Sequence, residues 1–195
     1  MAVELTLEEG RWSPRRLRGF LEGWMPHAPL RVLGSGPWQA GRAGVWTWLF
    51  CEGSTRGCSL RFKPSLVKAG VITIRLNTLA SRADWTMAYG LARGLLKAGG
   101  GRALGPDGRV MRAEDFSDSS VAGEASARLR DDASGVAQAL NSGEPFAALP
   151  NPNFSLVLTA AMLPKEKDPA RMAIALEEHL RTMAARYQEA DAVAR

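Results

Sequence analysis

Histidine, cysteine and tyrosine each occur only twice in the 195 residues, and that scarcity removes several kinds of chemistry. Cys51 and Cys58, together with the well-separated His27 and His179, do not make the ligand set of a structural zinc, so no metal site is expected. The two cysteines flank EGSTRG, a spacing that would permit a cross-strand bridge, but in a reducing compartment two free thiols are the preferred reading. No apolar run reaches the roughly 18 residues that suggest a membrane-crossing helix, and the richest stretch, Phe154 to Leu163, stands between Pro152 and Pro164. The opening MAVELTLEEG carries acidic residues where a secretory signal would be basic and then apolar. A cytoplasmic protein with no membrane span is therefore expected.

Nucleotide signatures are missing too. Gly34, Gly36, Gly41 and Gly44 follow a short strand candidate, yet neither GxGxxG nor GxxxxGK[ST] occurs, and what comes next reads as a strand where a phosphate cradle needs a helix N-terminus. The run Gly99 to Gly101 follows a helix and reads as its stop. Nor is there a GxSxG, an HExxH or a Cys-His pairing. His27 sits in a proline-bounded loop and His179 abuts the apolar face of the last helix. The acidic groups Glu114, Asp115 and Asp118, and Asp131 with Asp132, read as a helix-start complement and a solvated face. No catalytic residue and no cofactor is assigned.

What is present is a foldable chain. Apolar residues make up 46% and charged residues 23%, the composition of an ordered domain, and nothing marks a linker or a repeat. A single α+β domain over residues 1–195 is expected, with a mainly antiparallel sheet of about five to seven strands and about four helices. The strand candidates are residues 2–7, 30–33, 45–51, 58–63, 71–77 and 154–159, with a small hairpin around Pro106, Asp107 and Gly108. The helices start at Ser13-Pro14, at Ser81, at Ser117 and at Asp168-Pro169, each a capping residue and two with proline behind it. The second has the clearest stripe: Trp85, Ala88, Tyr89, Ala92, Leu95 and Leu96. The third is alanine-rich and thinly striped, and is expected on the surface; the strand at 154–159, mostly apolar, is expected inside the sheet.

Net charge is +5, unevenly spread. Residues 1–75 hold 11 basic and 5 acidic groups, 76–112 hold 6 and 2, and 113–195 hold 8 and 13, giving +6, +4 and −5. Such a split can attract an acidic partner or can be neutralised within the fold, which is the preferred reading. Of the 25 basic residues 20 are arginine, and with 30 alanines and 20 glycines this suggests GC-rich coding and a bacterial source.

Five of the six tryptophans lie in the first 48 residues. Trp24, Trp46, Trp48 and Trp85 read as core. Trp38 stands beside Arg42 in the turn-rich GPWQAGR, and exposed Trp with Arg is a common interface anchor, so Trp38 and Arg42 are the candidate binding residues. Trp46, Trp48 and Phe62 near Arg61, Lys63 and Arg75 could also make a platform for single-stranded nucleic acid. No RNP or cold-shock pattern accompanies them, and nucleic acid is not the expected partner.

The run SRADWTMAYGLARGLLKAGGGRALGPDGRVM, residues 81–111, resembles units in small uncharacterised bacterial α+β proteins, some of them immunity proteins that accompany polymorphic or contact-delivered toxins. The resemblance rests on packing residues and transfers no functional residue, because immunity proteins act through surfaces that vary with the toxin they block. It implies a binding protein, an immunity-type inhibitor of a partner toxin, in place of an enzyme. The alternatives are an enzyme with an unrecognised carboxylate or histidine site and a nucleic-acid binder using the basic N-terminal part.

Overall fold

A computed structural model describes residues 2–24, 31–33, 46–65, 70–150 and 155–193, with 31–33 and 188–193 as backbone. The fold is α+β. In chain order the elements are β1 (Val3–Glu8), α1 (Pro14–Trp24), β2 (Arg31–Leu33), β3 (Trp46–Phe50), β4 (Cys58–Lys63), β5 (Val71–Leu76), α2 (Arg82–Gly99), β6 (Arg102–Leu104), β7 (Val110–Met111), α3 (Asp118–Asn141), β8 (Ala147–Pro150), β9 (Ser155–Leu158) and α4 (Pro169–Val193). Seven strands form one antiparallel sheet in the order β2-β3-β4-β5-β1-β6-β7, and β8 and β9 form a separate hairpin. No helix among the described residues is long and apolar enough to cross a membrane.

Alternation sets the sheet. Val3, Leu5 and Leu7 of β1, Leu60 and Phe62 of β4, and Ile72, Ile74 and Leu76 of β5 point to one side and are buried, as a strand period of two requires. Helix α2 covers that side with Trp85, Ala88, Tyr89, Ala92, Leu95 and Leu96, all buried. Fully burying a Leu or Ile side chain stabilises by roughly 1.5–3 kcal/mol, so this layer dominates the energetics. α2 starts with a capping box: Ser81 Oγ accepts from the Asp84 amide at 3.2 Å, and Asp84 Oδ2 accepts from the Ser81 amide at 2.9 Å. It ends at Gly100, whose φ of 70° costs glycine little.

Helix α1 lies beside α2 on the same layer, and α2 makes room for it with glycine. A Cβ on Gly94 would lie 3.0 Å from the Phe20 ring, and one on Gly99 would lie 2.3 Å from Trp12 Nε1. Arg16 then donates to the carbonyl of Ala98 at 2.6 Å, covering an otherwise orphaned carbonyl at the α2 C-terminus.

The third helix lies at the surface with only its thin stripe buried, as the sequence suggests, but that stripe serves two clusters at once. Val121 and Ala125 pack into the core under the large sheet. Leu129, Ala133 and Leu140, further along the same stripe, pack into a second cluster with Leu149, Leu156 and Leu158 of the hairpin and Ala173, Leu176 and Leu180 of α4. The expected strand near 154–159 forms as β9, but among the described residues it pairs with β8 in the hairpin and leaves Val157 42% exposed. Leu79, in the link between β5 and α2, enters the second cluster from a backbone with φ of 60°, a strained conformation for a bulky residue. Its amide donates to Asp132 Oδ2 at 2.8 Å and its carbonyl accepts from Thr55 Oγ1 at 3.2 Å, and these bonds hold it there. Asp132, read from the sequence as part of a solvated face, therefore pins the joint between the two clusters.

Candidate interaction face

The side of the large sheet turned away from α2 carries the other half of each alternation. Its rows follow from the register: Trp46 opposite Arg61 opposite Thr73, and Trp48 opposite Ser59 opposite Arg75. Arg75 lies opposite Glu4, and Thr73 opposite Thr6. Running across the strands, the face passes from aromatic on β3 through basic on β4 to acidic on β1.

Trp46 and Trp48 are partly exposed, as are Arg61 and Arg75, and Lys63 is exposed. The Arg61 guanidinium lies over the Trp46 ring, 5.6 Å from its centroid, a cation–π contact that fixes both side chains. Trp48 stacks on Phe50 at 6.3 Å with an interplanar angle of 18°. Arg75 pairs with Glu4 at 3.8 Å, and Arg102 with Glu8 and Glu9 at 3.7 and 3.1 Å. Arg61 and Lys63 make no ion pair among the described residues. The Nε atoms of Arg61 and Arg75 are both buried without a hydrogen-bond partner among the described residues. Such a group carries an unmet demand for an acceptor.

A second polar centre lies at the other end of β3 and β4. The Asp84 carboxylate is fully buried and gathers the turn between those strands: Oδ1 accepts the Gly57 amide at 2.9 Å, and Oδ2 accepts the amides of Thr55 and Arg56 at 3.2 and 3.0 Å and the Thr55 hydroxyl at 3.1 Å. Arg56 is thereby swung inward, 3% exposed, where its Nη2 donates to the Pro150 carbonyl at 3.0 Å. Burial pulls its pKa down to about 10, with Asp84 and Asp132 pulling it back up, so it is a cation at neutral pH. Glu177 on α4 accepts the Arg82 amide at 2.7 Å. These bonds tie the turn, the start of α2, the hairpin and α4 together, which is a structural office.

Between that turn and α4 lies a cleft of about 510 Å³ lined by Glu52, Arg82, Glu177, Glu178 and Arg181, among others. Its charges are largely consumed in the pairs Arg82 with Glu177 and Arg181 with Glu178. Among the described residues no histidine or cysteine lines it, and no group of three or more His, Cys, Asp or Glu is able to bind a metal ion.

Trp38, Arg42 and His27 lie outside the described residues. Phe62, grouped with Trp46 and Trp48 in the sequence, belongs to the opposite side of the sheet and is 1% exposed, because it alternates with Arg61 and Lys63. Trp85 is core at 3%, and Trp24 packs partly buried against it. Trp46 and Trp48, read as core, are instead on the partly exposed face. His179 is half-buried on α4, its Nε2 without a hydrogen-bond partner among the described residues. Both cysteines are free. Burial pushes the Cys58 thiol well up, with Asp84 adding to it, and raises Cys51 less.

Sequence reasoning passed over Asp84 as a hub and Arg56 as a buried cation. The S-x-x-D spacing of Ser81 and Asp84 signals the capping box, but nothing local signals that the same carboxylate collects a turn 27 residues earlier. No family model, curated protein or solved structure matches the chain, so its function has to be read from its residues.

Proposed function

We propose that the chain is a cytoplasmic bacterial protein-binding protein, an immunity-type inhibitor that masks a partner toxin through a surface. The observation that supports this most is the pairing of Trp46 and Trp48 with Arg61 on one partly exposed sheet face. Trp and Arg are enriched among the residues that dominate protein interfaces: Trp offers large contact area at little entropy cost, and the planar Arg guanidinium offers several donors and stacks on aromatic rings. A nucleic-acid surface would need a continuous basic track. Here the outer cations on the face, Arg75 and Arg102, are occupied by Glu4, Glu8 and Glu9. Trp38 and Arg42, outside the described residues, remain candidate anchors on the sequence reading alone.

The test is neutralisation. The product of the adjacent reading frame, expressed alone in a bacterial host, is expected to arrest growth, and co-expression of this chain is expected to restore it. Rescue should be lost with Trp46→Ala plus Trp48→Ala while the chain stays folded and soluble. Growth arrest that this chain does not relieve would remove the immunity reading.

A further inference from the structure

The sheet face is asymmetric, and the asymmetry specifies what fits it. Toward β1 and β6 each arginine has its carboxylate: Arg75 has Glu4, and Arg102 has Glu8 and Glu9. Toward β3 and β4 two cations have none among the described residues. Arg61 and Lys63 stand two residues apart on the same side of β4, about 7 Å along the strand, beside the partly exposed rings of Trp46 and Trp48.

We propose that the β3–β4 half of this face receives an acidic segment of a partner protein, carboxylates meeting Arg61 and Lys63 and an adjacent aromatic or aliphatic side chain covering Trp46 and Trp48. The inference rests on the protein-binding reading and names the chemistry of the partner. Three observations carry it. Arg61 and Lys63 have no carboxylate partner among the described residues, so an incoming carboxylate meets cations that no internal acid neutralises, and charge-assisted bonds of this kind are the strong ones. The aromatic part is preorganised: Trp48 is stacked on Phe50 and Trp46 lies under Arg61, so binding has little rotamer freedom to remove. Finally, on the β1 side Arg75 and Arg102 are already taken up by Glu4, Glu8 and Glu9, so the cations left for an acidic segment are those of β4. A polynucleotide would bring phosphates across those carboxylates with only two unpaired cations to offset them, which disfavours it.

The experiment is a selection from a displayed library of random peptides on the immobilised full chain, run in parallel with a single-stranded oligothymidylate at physiological salt. Enriched peptides are expected to combine Asp or Glu with Trp, Phe or Leu. Arg61→Gln and Lys63→Gln should each weaken them about fivefold or more, with thermal unfolding unchanged. No enrichment, enrichment without acidic residues, or peptides indifferent to both substitutions overturns the proposal. Oligothymidylate binding more tightly than the peptides and lost in the same two variants assigns the face to nucleic acid and also overturns it. Neutralisation of the toxin that survives Arg61→Gln and Lys63→Gln removes this face while keeping the protein partner, whereas a chain that never neutralises removes the broader reading.

Discussion

The Gly57 amide donates to Oδ1 of Asp84 at 2.9 Å, joining the β3–β4 turn to the first turn of α2. Three further donors from Thr55 and Arg56 and the Ser81 amide converge on the other oxygen. Asp84→Ala would leave these amides buried without an acceptor, at about 1–3 kcal/mol for each that neither relaxation nor water satisfies. A loss of about 3–5 kcal/mol is expected in urea unfolding with an unchanged m value. Asp84→Asn keeps the shape but points an amide at donors and should fall between. A loss below about 1 kcal/mol for Asp84→Ala would mean that the turn is held by something else.

Glycines in the helices should respond with opposite signs. A Cβ at Gly99 meets Trp12 Nε1 at 2.3 Å, whereas those at Gly123 and Gly135 in α3 meet nothing within 4 Å. Gly99→Ala must displace the Trp12 ring and is expected to destabilise by about 1–3 kcal/mol. Gly123→Ala and Gly135→Ala restrict the unfolded chain at no steric cost and should each stabilise by about 0.5–1 kcal/mol. Thermal unfolding of the three variants tests the packing of Trp12, just before α1, on the end of α2 and the course of α3 together.

Alkali should weaken the fold in a definite direction. Tyr89 donates to Glu124 Oε2 at 2.6 Å between α2 and α3, and burial first, then that bond and the Glu124 charge, push its phenol above the ordinary value of 10.0. The folded state thus holds a proton that the unfolded state releases. The stabilisation is complete below the unfolded pKa and declines above about pH 10, by about 1.4 kcal/mol per pH unit for one such group. Cys58, raised in the same sense, adds to the loss from about pH 9. Tyr89→Phe should flatten the tyrosine part of the slope. In the native protein at pH 8 a thiol reagent should leave Cys58 unmodified until denaturant is added, since the thiolate is the reactive form and burial withholds it.

Much of this fold was legible locally. The capping residues Ser13, Ser81, Ser117 and Asp168 stand where helices begin, and the stripe from Trp85 to Leu96 is buried as its spacing implies. What escaped depends on contacts remote in sequence. Ala147–Pro150 is four residues ending in proline inside a segment that reads as a loop, and it becomes a strand because Leu149 packs with Leu156 into the cluster shared with α4. On β3 the alternation put Trp46, Trp48 and Phe50 together, but Leu49 on the other side is equally apolar. Local pattern could not say which side α2 would cover. Leu49, Leu60 and Ile74 are under the helix, and the tryptophans face away with Arg61.

The most direct test is a calorimetric titration of the chain with the toxin recovered from the neutralisation experiment. With the Trp46–Arg61 face as the contact, Trp46→Ala and Arg61→Gln should each bind about tenfold more weakly or worse, about 1.4 kcal/mol or more, with urea midpoints equal to that of the unaltered chain. Unchanged affinity in both variants would contradict the assignment of this face to the partner.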